Sequence, residues 1–309
     1  MSIVVFGSLN MDLVVQTPRL LQSGETLIGS DFYTTPGGKG ANQAVAAAKL
    51  GVPTEIIGRV GDDAFGLELL AGLKAVGVGT DGVLVDATHS GVAVITVAAT
   101  GENQIIGVFG ANGNVDETNV ERLKTRLAGN KLLLLQLEVP IAAVKQAAQV
   151  AHEAGVQVIL DPAPVPAEAI AALYPFINIL VPNEIEAGQL VGFPVNSPET
   201  AALAARALQQ QGAKTVIVKL GAQGVFCATP DETFFVPAFA VEAIDTVAAG
   251  DAFAGGLAAA LIEGVSLQQA VIWGAAAGAL ATTKKGAQAA MPDRPTFNSF
   301  LTANGVTLP

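Results

Sequence analysis

Short apolar runs bounded by glycine or polar residues alternate along the chain with longer segments of helical spacing. Ile3–Gly7 reads as a buried strand followed by a polar turn. Ala41–Leu50 is small, apolar and helical, and Gly51 stops it. Thr54–Val60 then reads as a strand and Ala64–Val76 as a helix ending at Gly77. Gly91–Ala98 and Gln104–Gly110 flank Thr100-Gly101-Glu102-Asn103 and predict a hairpin. Further on, strands are predicted at Lys131–Leu137, Val156–Leu160, Ile177–Val181 and Thr215–Leu220, with helices at Ile141–Ala154 and Ala201–Gln211. Val225–Ala228 and Thr233–Val236 predict a second hairpin, and Asp251–Glu263, Leu267–Thr283 and Thr296–Thr302 a helical tail.

Repeated strand–helix units bury a sheet between helical layers. The expected class is α/β, with a doubly wound, mainly parallel central sheet flanked by helices. The early hairpin has no obvious partner inside a parallel sheet, so it is expected to form a separate small β-sheet that serves as a lid. The 309 residues are close to the upper size of one core, and no internal repeat or long linker divides them. A single domain over residues 1–309 is expected.

Composition narrows the function. Hydrophobic residues make up 51% and the net charge is −11, without any Lys/Arg run, which disfavours duplex nucleic acid as a partner. An anionic substrate would need local help from helix N-termini, lysines and Mg²⁺. The single cysteine, Cys227, excludes an intramolecular disulfide and a multi-cysteine metal site. Met1–Leu13 lacks a basic start and is interrupted by Asn10 and Asp12, so it does not read as a signal peptide. Apolar stretches such as Ala252–Ile262 fall short of the ~20 residues that span a bilayer. The expectation is a cytoplasmic protein with no membrane partner.

Candidate chemistry clusters where predicted strands end. Asp245-Thr246-Val247-Ala248-Ala249-Gly250-Asp251 joins a strand end to a helix through small residues. The unpaired amides of a helix start form an anion hole, and an Asp there either caps the helix or accepts a proton from an attacking hydroxyl. Gly37-Gly38-Lys39-Gly40-Ala41-Asn42-Gln43-Ala44 places a Lys and an Asn at another helix start, but Lys39 is followed by Gly, so it is no Walker A loop. Asn10-Met11-Asp12 follows the first strand and reads either as an Asx turn or as a chelate for two sugar hydroxyls. Glu138 ends another buried strand. Asn183-Glu184-Ile185-Glu186 suits N-capping or a hydrated Mg²⁺, and Leu220-Gly221-Ala222-Gln223-Gly224 is a weak nucleotide signal. His89, His152, Cys227 and Trp273 read as packing or isolated residues.

Taken together, the Gly37–Ala44 segment, its continuation Gly58-Arg59-Val60-Gly61-Asp62-Asp63 and the Asp245–Asp251 segment resemble the signatures of the ribokinase/PfkB family of sugar kinases over almost the whole chain. The resemblance implies an ATP-dependent kinase that phosphorylates the primary hydroxyl of D-ribose, with Asp251 as general base and Ala248, Ala249 and Gly250 in the anion hole. It implies sugar contacts at Asn10, Met11, Asp12, Gly38, Lys39, Gly40, Ala41, Asn42, Glu138 and Asp251. ATP would lie on Asn183, Lys219, Leu220, Gly221, Ala222, Gln223, Gly224, Gly250, Asp251 and Ala275, with Mg²⁺ at Glu186. A K⁺ activator would sit at Asp245, Val247, Ala281, Lys284, Gly286 and Ala290. A lid from segments 12–17, 31–37 and 91–110 would pair with a second copy to form a homodimer. Ala248 stands where the family signature often has Gly, Ala275 where relatives often carry a polar residue, and Ala290 offers no side-chain oxygen.

Overall fold

The computed structural model describes residues 2–167 and 170–307. The chain opens with β1 (Ile3–Phe6), β2 (Asn10–Thr17), β3 (Asp31–Gly37) and α1 (Lys39–Lys49). It continues through β4 (Thr54–Gly61), α2 (Ala64–Ala75), β5 (Val78–Asp86), β6 (Gly91–Ala98) and β7 (Asn103–Val108). Then come α3 (Glu117–Leu127), β8 (Leu132–Leu135), α4 (Ile141–Glu153), β9 (Gln157–Leu160) and β10 (Ile179–Leu180). The remainder is α5 (Glu184–Val191), α6 (Pro198–Gln210), β11 (Thr215–Lys219), β12 (Gly224–Ala228), β13 (Thr233–Pro237), α7 (Ala249–Glu263), α8 (Leu267–Ala281) and α9 (Arg294–Ala303).

A nine-stranded sheet runs β13-β12-β11-β10-β9-β8-β1-β4-β5. It is parallel from β5 through β11 and antiparallel only in the β11–β12–β13 meander. Its central strands are apolar on both faces, since helices cover both: every residue of β1 and β8 is buried. One layer buries α1, α7 and α8 with Trp273 and Phe297; the other buries α3, α4 and α6 with Tyr174.

The second sheet has four strands in the order β3-β2-β6-β7. The early hairpin is β6–β7, as its pattern predicted, and it joins β2 in parallel register. Asn10–Asp12 corrects one expectation: these residues begin β2 rather than forming an Asx turn. Two further elements carry no clear signal in the sequence. β5 contains Asp81-Gly82, a turn dipeptide, at an irregularity where the register with β4 shifts. α3 is mostly polar and buries only one stripe, including Val120, Leu123 and Leu127.

The Gly58–Asp63 segment serves the scaffold. Arg59 pairs with Asp86 at 3.1 Å and Asp116 at 2.6 Å, and its Nε donates to Asn119. Asp63 caps α2 through Gly66 N and accepts from the Ser90 amide and hydroxyl.

Candidate active site

The strand order reverses between β1 and β8, so the loops leaving their carboxyl ends diverge and open a crevice. Ser8 Oγ donates to Glu138 Oε2 across it at 2.6 Å, and the Lys39 amide donates to the same oxygen at 3.0 Å. The N-cap residue of α1, Gly38, has no side chain, so Glu138 supplies the carboxylate that this helix end attracts. Gly38 holds φ +87°, and a Cβ there would stand 2.6 Å from the Asn10 amide. Only glycine permits this approach of α1 to β2.

Asn10 and Asp12 project from β2 above this crevice. Asn112 donates to Asn10 Oδ1 at 2.7 Å and exchanges hydrogen bonds with the Leu9 backbone, fixing the amide of Asn10. Asp12 is 8% exposed, and among the described residues its carboxylate accepts no hydrogen bond. Burial, followed by the neighbouring Glu138 and Asp251, pushes its pKa up to about 7. A buried acceptor without a donor is costly, so Asp12 is poised for a ligand that brings hydroxyls. Gly37 makes room for it: a Cβ there would lie 2.3 Å from Asp12 Oδ2.

Asp251 sits in the first turn of α7 and is 4% exposed. Its side chain does not cap its own helix. Asn42 Nδ2 donates to Oδ2 at 3.0 Å and Gln43 Nε2 to Oδ1 at 3.1 Å. Burial raises its pKa above the usual carboxylate range; Lys39 opposes this, and Asp161 adds to it. Among the described residues Asn42 Oδ1 is buried and without a partner, a second acceptor open to a donor. Lys39 feels burial, which lowers its pKa, but Asp251, Asp161, Glu138 and Glu186 outweigh that and hold it firmly protonated.

The start of α7 is open. Ala248 caps it in left-handed conformation, φ +58°, without a side-chain bond. The Ala249 amide donates to Thr246 O at 3.3 Å, whereas among the described residues those of Ala248, Gly250 and Asp251 have no protein acceptor. Three amides at the positive end of a helix form an anion hole.

A cavity of about 670 Å³ extends from Lys39 and Asp251 along the carboxyl ends of β9–β11. Asn183, Glu186, Lys219, Gly221, Ala222, Gly224, Gly250 and Ala275 line it, with Phe239 and Phe253 among its apolar walls. Leu220 is buried in the core, and Gln223 is exposed with its Nε2 on Asn196 O; neither lines the cavity. Asn183 and Glu186 form a capping box on α5, so Glu186 already has a structural task. Burial and Asp161 raise its pKa, and Lys219 opposes them.

Beside the anion hole, Asp245 ties two loops together: Oδ1 accepts from Val247 N and Oδ2 from Gly286 N. Ile244 and Asp245 amides donate to Thr282 O, next to Ala281. Both oxygens of Asp245 are thus already bonded to backbone amides. Lys284 is exposed and Ala290 buried. In the sugar segment, Met11 and Ala41 are wholly buried, main chain included, and the Ala41 amide already donates to Ser8 O, so neither presents a surface to a ligand.

Sequence reasoning passed over Ser8, Asn112, Asp161 and the role of Gln43. Asp161 was detectable by the argument applied to Glu138, because it too is a carboxylate at the end of a buried strand. Asn112 lies in a Gly/Asn-rich loop whose composition marks no particular residue.

The pfkB family carbohydrate kinase pattern matches residues 1–294. The chain is 40% identical to ribokinase of Haemophilus influenzae, over 97% of this chain and 98% of that protein. It is 37% identical to a deoxyribokinase of Salmonella typhi, over 98% and 100% respectively. The structure of Arabidopsis thaliana ribokinase complexed with ribose and ATP superposes with a TM-score of 0.88 at 36% identity, covering 97% of this chain and 98% of that one. With the fold, the order of its signatures and these likenesses in agreement, the chain belongs to the pfkB family of carbohydrate kinases.

Proposed function

We propose that this chain transfers the γ-phosphoryl group of ATP to the 5-hydroxyl of D-ribose, giving D-ribose 5-phosphate and ADP. The observation that carries this reading is the place of Asp251. It stands where the crevice of Asn10, Asp12, Asn42 and Glu138 meets the large cavity, at the head of an open helix start. The full-length likeness to ribokinases, one of them described with ribose and ATP, supports the choice of substrates.

Asp251 takes the proton of the primary hydroxyl as its oxygen attacks in line. The free amides of Ala248, Gly250 and Asp251 receive the charge that develops on the transferring group. Asp12 and Asn42 Oδ1 accept sugar hydroxyls. The nucleotide occupies the cavity lined by Asn183, Lys219, Gly221, Ala222 and Gly224. Glu186 would hold a hydrated Mg²⁺, which neutralises phosphate charge when bound. Asp245 and the carbonyls around Val247, Ala281 and Gly286 would hold a monovalent cation, K⁺ in this reading. The small sheet acts as a lid that excludes water, and we place the protein in the cytoplasm as a homodimer joined through those lids.

The likeness to a deoxyribokinase favours 2-deoxyribose as the second acceptor. An ADP-release assay over ribose, deoxyribose, fructose and adenosine, with and without K⁺, separates the two. Ribose should give the highest kcat/KM; adenosine ahead of ribose would overturn the sugar assignment. Asp251→Asn should keep ribose binding and lose about 10²–10⁴-fold in kcat. Near-normal turnover in that variant would remove Asp251 from its role.

A further inference from the structure

Gln43 is wholly buried on α1, one residue beyond Asn42. Its Nε2 lies 3.1 Å from Asp251 Oδ1 and 3.1 Å from Asp161 Oδ2, so the two hydrogens of one amide serve two carboxylates. Its Oε1 accepts from Gln136 Nε2 at 2.6 Å. This orientation is not free. Two carboxylates can face only the NH₂ end, and the oxygen end then demands a donor, which Gln136 supplies. Gly7 leaves room for Gln136, since an added Cβ there would stand 2.0 Å from Gln136 Oε1, an atom without a partner among the described residues. On the other side, Asp161 Oδ1 meets Lys219 Nζ at 3.3 Å, at the wall of the nucleotide cavity.

Asp251 and Asp161 are like charges in a buried site, and Asp161 adds to the rise that burial imposes on the pKa of Asp251. The groups that face Asp251 are Lys39, Asn42 and Gln43 from α1, Asp161 beyond β9 and Asp12 from β2. Among them, Gln43 alone touches both carboxylates.

We infer that Gln43 is a positioning residue for phosphoryl transfer: its amide fixes the rotamer of Asp251 and links it through Asp161 to Lys219 of the nucleotide cavity. The inference rests on the reading of Asp251 as general base. With Oδ1 held by Gln43 and Oδ2 by Asn42, the carboxylate cannot swing, and a lone pair remains for the acceptor hydroxyl. Removing the amide frees that rotation and takes away a hydrogen bond that favours the ionised form.

Two variants test this. Gln43→Met keeps the length and loses the clamp; Gln43→Glu keeps the shape but sets a third carboxyl between two others. Each should lower kcat by about 10²-fold, the order of cost of a misplaced catalytic group. KM for ribose should change by less than about threefold, since sugar contacts remain. The acid limb of the kcat–pH profile should move up by about one unit, because the lost bond favoured the carboxylate. A purely structural Gln43 would lower the melting temperature while leaving the acid limb in place. Folded variants with wild-type kcat and an unmoved acid limb overturn the inference. Should Gln43→Met not accumulate as folded protein, Gln43→Glu decides alone. Asp251→Asn is measured beside them. If it collapses while both Gln43 variants are normal, only the positioning role fails; if it stays active, the base assignment fails first.

Discussion

At the scale of single residues, the same carboxylate chemistry has opposite uses a few ångströms apart. Glu138 has donors, from the Ser8 hydroxyl and the Lys39 amide, and acts as the missing cap of α1. Asp12 has none among the described residues, and burial pushes its pKa up to about 7. That difference predicts a proton-linked affinity. Sugar hydroxyls donate to the ionised form, so binding is complete above the pKa of Asp12. As pH falls through about 7, each sugar bound must expel a proton, and affinity drops toward tenfold per unit. Calorimetric titration of ribose without ATP, between about pH 5.5 and 8, should show this slope, and Asp12→Asn should flatten it. A pH-independent wild-type affinity would refute the assignment of Asp12 as a hydroxyl acceptor. Asp251 shows how far one residue is legible: its position at a helix start was plain in the sequence, but capping and proton abstraction could not be separated there. The structure excludes the cap, since Asn42 and Gln43, about two hundred residues away along the chain, hold the carboxylate off its own helix.

At the scale of elements, the site depends on how closely α1 approaches α7. Gly255 sets that distance: a Cβ there would lie 2.5 Å from Ala46 Cβ and 3.0 Å from the Gln43 carbonyl oxygen. Gly274 and Gly278 do the same for α7 against α8, with Phe253 and the Ala249 carbonyl oxygen as neighbours. Helix propensity alone says that Gly→Ala inside a helix stabilises by about 1 kcal/mol. Gly72 in α2 meets that case, with nothing within 4 Å of an added Cβ. Gly72→Ala should therefore raise the denaturation midpoint, while overpacking makes Gly255→Ala lose about 2 kcal/mol. Gly255→Ala should also lower kcat, because α1 carries both residues that hold Asp251. Equal effects at the two positions, read from denaturant unfolding, would show that the helix contact does not set the geometry. The central alternation of strands and helices was readable because burial on both faces leaves continuous apolar runs in β1 and β8. β2 was not, because the polar Asn10 and Asp12 break its apolar pattern, and α3 was lost behind its charged face.

At the scale of the whole molecule, the large sheet has both faces covered, whereas the small one leaves large apolar side chains in water. Phe32 is 60% exposed, Ile105 57% and Ile106 66%. Ile105 and Ile106 are adjacent on the edge strand β7, so they point to opposite faces. Ile105 shares its face with Ile95, Val14 and Asp12 through the strand register, and Ile106 shares the other with Val94. An exposed apolar edge that a monomer would blunt with charge is expected to be covered by a partner. A homodimer through these lids accounts for it, and would hold the Asp12-bearing face over the crevice. Ile105→Glu with Ile106→Glu should convert a dimer into a monomer in sedimentation velocity at micromolar concentration. The single variants then identify the buried face: the one that dissociates the dimer marks it. If Ile105→Glu is the active one, loss of the dimer and a raised KM for ribose should appear together, because that face also carries Asp12. A wild-type chain that sediments as a monomer at every concentration would leave the lid to close alone and refute the paired arrangement.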